Sequence, residues 1–206
     1  MDIENCIESL SVILSKDFTK ELLEDGKEII SISSEVIGDV SKAVNVLKTV
    51  KDLPSKLFWS KLKSFLSGVS DIPLEKRQKY ITKMGKRQTD KDIERMFNII
   101  NSISEKEKMP YLINLYKHLL NEDINRKQFF IMSNVIKDSI YEDLQYLKEH
   151  INDEDSFEID ENTCRFASLN IINQVNETTW DAVENHSKVK YAYSDFAKSL
   201  CCYIFE

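Results

Sequence analysis

At 206 residues the chain is long enough for one or two domains with a sizeable core. Hydrophobic residues make up 42% and charged residues 31%, as in soluble globular proteins, while 4 glycines and 3 prolines are too few for a loop-rich all-β fold. The net charge of −7 is unevenly spread: between Lys42 and Lys91 thirteen Lys or Arg stand against four Asp or Glu, a local +9 that leaves −16 for the rest.

Residues 1–53 read as N-terminal amphipathic helices. Ile3, Cys6, Ile7, Leu10 and Leu14 share a face, and Asp25-Gly26 marks a break. Asp2 and Glu4 stand where a signal peptide needs basic residues. From Glu28 to Lys51 an apolar stripe includes Ile29, Val36, Ile37, Val40, Val44 and Leu47. Its period fits a core or subunit-interface helix, with a helix lying on a membrane surface as the alternative. No stretch reaches the roughly 18 uncharged apolar residues of a membrane span. The cysteines, Cys6, Cys164, Cys201 and Cys202, form no C-x-x-C pair, which favours a reducing compartment. A cytoplasmic location is expected.

Residues 54–151 read as a helical bundle. Phe58, Leu62, Phe65, Leu66 and Val69 define one helix, with Gly68 placed to end it in a left-handed conformation. Leu74, Ile81 and Met84 define the next, stopped by Gly85. Capping boxes are predicted at Thr89 with Asp92, Ser104 with Glu107, and Asn125 with Gln128. Behind them run Ile93, Met96, Phe97 and Ile100, then Met109, Leu112, Ile113 and Tyr116, then Phe129, Met132, Ile136, Ile140, Leu144, Leu147 and Ile151. Pro110 falls in a first turn, where its missing N–H costs little. Short links between such helices favour antiparallel helical hairpins.

Residues 152–162 are acidic and read as a linker; a calcium loop would need a glycine that is absent. Residues 163–206 read as a small α+β, winged-helix-like module. A short helix at Phe166 and Leu169 leads into a strand over Ile171–Val175, followed by a turn at Asn176–Thr179. A second strand with Val189, Tyr191 and Tyr193 then precedes a final helix capped by Ser194 or Asp195. The expected fold class is therefore mainly α, a bundle with this small C-terminal part.

Leu53-Pro54-Ser55-Lys56-Leu57-Phe58, Asp71-Ile72-Pro73-Leu74-Glu75-Lys76-Arg77, Ser104–Lys108, the Phe129–Asp143 block and the Tyr191-Ala192-Tyr193-Ser194 ending carry a resemblance. In pattern they resemble a widespread family of bacterial and prophage helical proteins, over about three quarters of the chain. Some members sit among phage-defence or abortive-infection genes, so the resemblance implies a defence context. It carries no catalytic residues.

With glycine only at positions 26, 38, 68 and 85, neither a P-loop nor a dinucleotide-binding loop can be written. No nucleophile elbow or H-E-x-x-H motif is present, and His118, His150 and His186 are far apart in sequence. His150 with Asp153 and Glu154 is the best metal candidate, against the commoner reading of a solvated helix-end histidine. No enzymatic activity, cofactor or small-molecule substrate is expected. The charge asymmetry leaves three readings: the basic stretch Lys42–Lys91 meets the acidic Glu142–Glu161 within or between chains, it binds nucleic acid or lipid, or it is solvated. If it is a binding surface, Lys56, Lys63, Arg77, Lys83 and Arg87 should form one patch, with Phe58, Leu62 and Phe65 inward and Trp59, Phe58 and Tyr80 interleaved. A non-enzymatic protein-interaction or sensor component of phage defence, with a protein partner or as a homo-oligomer, is the leading expectation. A nucleic-acid-binding regulator and a peripheral membrane effector are the alternatives.

Overall fold

The computed structural model describes residues 56–70, 72–153, 156–175 and 189–205. The expected helices of residues 1–53, the Glu28–Lys51 stripe among them, lie outside the described residues, as does the predicted turn at Asn176–Thr179. Over the described residues the chain is mainly helical with one two-stranded sheet. It divides into two compact units, Met1–Lys137 and Asp138–Glu206. That division falls inside the segment expected to form a single bundle. The apolar run from Phe129 to Ile151 looks continuous in sequence, yet Ile140 adopts an extended conformation (φ −84°, ψ 164°) and separates two helices. Periodicity alone does not register a break of two residues, Ser139 and Ile140.

In the first unit, α1 (Lys56–Ser70) buries Phe58, Trp59, Leu62, Phe65, Leu66 and Val69. It packs on α3 (Lys86–Ser102) and, most extensively, on α4 (Met109–Leu120). Gly68 lies inside α1 and does not end it. A Cβ there would sit 2.6 Å from Ile113 Cδ1 and 2.8 Å from its Cγ2, so the missing side chain is what lets α1 and α4 approach. Aromatic edges link the helices through the core: Phe58 to Phe97, Phe65 to Tyr116, and Tyr116 to Phe129. The Trp59 indole N–H is buried without an acceptor among the described residues.

α2 (Leu74–Met84) packs against α3 and α4. Gly85 separates α2 from α3 at φ 75°, and its carbonyl accepts from the Thr89 N–H and hydroxyl, each at 3.0 Å. α3 therefore begins three residues before Thr89, which is an interior residue rather than the predicted N-cap. Ser104 is not a cap either: its hydroxyl bonds the Glu105 carboxylate, and a 3-10 turn (Lys106–Lys108) leads into α4. Pro110 does sit in the first turn of α4. The box at α5 (Arg126–Asp138) is complete: Asn125 N–H donates to Gln128 Oε1 at 2.9 Å, and Gln128 N–H to Asn125 Oδ1 at 3.0 Å.

In the second unit, α6 (Tyr141–His150) and α7 (Asp195–Phe205) bury Leu144, Leu147, Leu200 and Ile204. β1 (Ile172–Val175) pairs antiparallel with β2 (Lys190–Tyr193), Ile172 opposite Tyr193 and Val175 opposite Lys190. Phe157, expected in a linker, bridges to Tyr191 with backbone bonds of 2.9 and 2.8 Å. The short helix expected around Phe166 is a succession of turns, opened by Asp160 accepting from the Thr163 N–H and hydroxyl. Ser194 is the cap of α7, accepting from the Ala197 N–H at 3.1 Å.

Candidate interaction surface

Lysines on α2 at positions 76, 79 and 83 are three and four apart, so they share a helix face. All three are exposed, Lys79 at 73% and Lys83 at 61% of the side chain. Against them lies the loop that ends α4. Lys83 Nζ donates to Glu122 Oε2 at 2.9 Å, and Lys79 Nζ stands 3.4 Å from Glu122 Oε1. Lys76 Nζ donates to Asn121 Oδ1 at 3.0 Å. Bonds from Lys83 and Lys79 hold the Glu122 carboxyl below the usual range of a glutamate. His118 Nδ1 donates to Asp123 Oδ2 at 2.8 Å and fixes the next loop residue.

Of the five residues expected in one patch, four have described side chains, and among those Lys83 alone belongs to this face. The Lys56 side chain lies outside the described residues. Lys63 is half-buried on α1, and Arg87 is exposed on α3. Arg77 is a correction: it is 7% exposed and donates from Nε to the Ile72 carbonyl at 2.9 Å. It stands on α2 one position past Lys76, and that step turns it inward. Lys61, another cation of the basic stretch, is also buried. Lys76 and Lys79 were legible as a spacing on α2. Glu122 and Asn121 were not, because nothing local in sequence brings the end of α4 to α2.

The aromatics expected to interleave with the lysines do not. Phe58 and Trp59 are core residues, and Tyr80 is half-buried beside Asp92 and Arg126, its phenol pushed up to about 12 chiefly by burial. Asp92 accepts a two-pronged contact from Arg126, at 2.7 Å from Nε and 2.5 Å from Nη2. The Arg126 and Arg95 guanidiniums lie over the Phe130 ring. In the second unit Arg165 holds the buried Asp143 in the same way.

Among the described residues no group of three or more His, Cys, Asp or Glu is placed to hold a metal ion. His150 stacks on Tyr146 at 4.0 Å and gives its Nδ1 proton to the Tyr146 carbonyl at 2.8 Å, while Glu154 lies outside the described residues. Burial pushes the Cys201 thiol up to about 12, which suppresses the thiolate. No described helix is long and apolar enough to cross a membrane. Comparison with protein families, curated proteins and solved structures finds no match to the chain.

Proposed function

We propose that the chain is a non-enzymatic protein-interaction component that uses the lysine face of α2 to bind an acidic protein segment. The contact of one carboxylate with Lys79 and Lys83 carries this reading: the face already accommodates the group an acidic segment would present. The face is three point charges with no outward guanidinium fork, since Arg77 is turned inward. Phe58 and Trp59, two of the three aromatics near these lysines in sequence, are buried and offer the face no stacking surface. Both features favour carboxylate side chains over a phosphate-backbone ligand. The second unit serves, in the same reading, as a winged-helix-like module for protein contact, because Thr163–Glu206 is net −1 and opposes phosphate. The resemblance noted in the sequence extends the proposal to a sensor or accessory role in bacterial phage defence.

The test is equilibrium binding of a labelled oligoglutamate peptide, with duplex DNA and phosphatidylserine vesicles in parallel. The peptide should bind best, more weakly as salt rises, and the triple variant Lys76→Glu, Lys79→Glu, Lys83→Glu should lose binding at unchanged melting temperature. Tighter binding of DNA or vesicles than of the peptide, or full binding by the triple variant, would overturn the proposal.

A further inference from the structure

Glu122 combines two features that the ending of α4 does not require together. Its backbone is left-handed, at φ 66°. This is the residue just past the helix, where the Glu122 N–H reaches the Leu119 carbonyl at 3.1 Å and the Asp123 N–H reaches back to the His118 carbonyl at 3.0 Å. Glycine fills such a position without steric cost and asparagine tolerates it, whereas other L-residues pay for the contact between Cβ and backbone. The Lys117, His118 and Leu119 carbonyls accept backbone N–H groups, and the Glu122 carboxylate is turned to Lys83 and Lys79 instead of the helix end.

What that side chain does is reach α2. One oxygen goes to Lys83 and the other to Lys79, one helical turn apart, while the neighbouring Asn121 takes Lys76. Two adjacent loop residues thereby engage the whole lysine face. All these groups are exposed, so water and salt compete with the contacts and the loop is held reversibly. A contact of that kind yields to a ligand presenting several carboxylates at once.

We propose that Glu122 is a competitor in cis: its carboxylate occupies the position that an acidic side chain of the partner takes, and the partner binds by displacing it. This rests on the reading of α2 as the binding face. It adds that the face is held partly closed in the free protein, through a residue standing at a backbone position unsuited to it.

The experiment measures oligoglutamate binding to the full chain and to Glu122→Gln, Glu122→Gly and the triple lysine reversal, with melting temperatures recorded for each. Glu122→Gln removes the charge and keeps the left-handed backbone; Glu122→Gly removes both the carboxylate and the strain. Both should bind roughly two- to fivefold more tightly than the parent, the scale of a lost exposed ion pair. If the two variants bind as the parent does while the lysine reversal abolishes binding, the competitor is overturned and the binding face stands. Tighter binding by Glu122→Gly alone would also overturn it, since strain and not charge would then control the face. If lysine reversal leaves binding unchanged, the binding face itself fails.

Discussion

Lys61 carries its amine into the core at 2% exposure and donates to the Asn101 and Ile103 carbonyls at 3.0 and 2.5 Å. Those carbonyls belong to the end of α3, where helix carbonyls lack partners and the dipole favours a cation. Burial, and secondarily the charge of Lys108, lowers the pKa of this lysine. The folded state therefore releases the proton more readily than the unfolded state. Stability from this group rises with pH from its lowered folded value up to the ordinary lysine value near 10.5. Urea denaturation as a function of pH should show that rise in the parent and its absence in Lys61→Met. Glu122 works in the same sense, in a lower pH window. Its lowered pKa means its contribution is present above the ordinary glutamate value and is lost as pH falls through the folded one. At Gly68 the matter is volume alone. Gly68→Ala should cost about 1–3 kcal/mol by overpacking against Ile113, and a double-mutant cycle with Ile113→Ala should recover part of the loss.

At the level of the element, α2 separates two kinds of cation that the sequence presents identically. Arg77 is buried with a backbone partner, and Lys83 is exposed. Arg77→Ala should lower unfolding free energy by about 1–3 kcal/mol, through the orphaned carbonyl and lost packing. Lys83→Ala should leave it within about 0.5 kcal/mol. Chemical denaturation of the two single variants separates them directly. Asp92→Asn, which breaks the two-pronged contact of α3 with Arg126, should cost about 1.5–3 kcal/mol by the same measurement. Helix identity was legible because apolar spacing is a property of many residues together. Helix starts were not: of three predicted boxes, Asn125 with Gln128 formed, while Thr89 and Ser104 lost to a glycine four residues upstream and to a 3-10 turn. A cap is one or two hydrogen bonds, and a neighbouring backbone choice displaces it.

For the whole molecule, the +9 of Lys42–Lys91 was legible as a sum, but the surface it makes was not. Folding takes Lys61 and Arg77 out of the sum and sets Lys79 and Lys83 against Glu122. A charge count treats all of them alike; packing distinguishes them. In the second unit both strands and the Ser194 cap were legible as local patterns, while the expected helix at Phe166 was not. Gly85 leaves a further consequence. Nothing lies within 4 Å of where its Cβ would be, so only the handedness of its backbone resists substitution. An L-residue there would relieve its torsion by turning right-handed, fusing residues 74–102 into one rod about 43 Å long at 1.5 Å per residue. The lysines would keep their spacing and lose their direction, swinging away from the end of α4. A far-UV circular dichroism spectrum of Gly85→Ala should gain helical signal as oligoglutamate affinity changes. Where the chain points its charge is thus decided by the chirality of one residue that carries none.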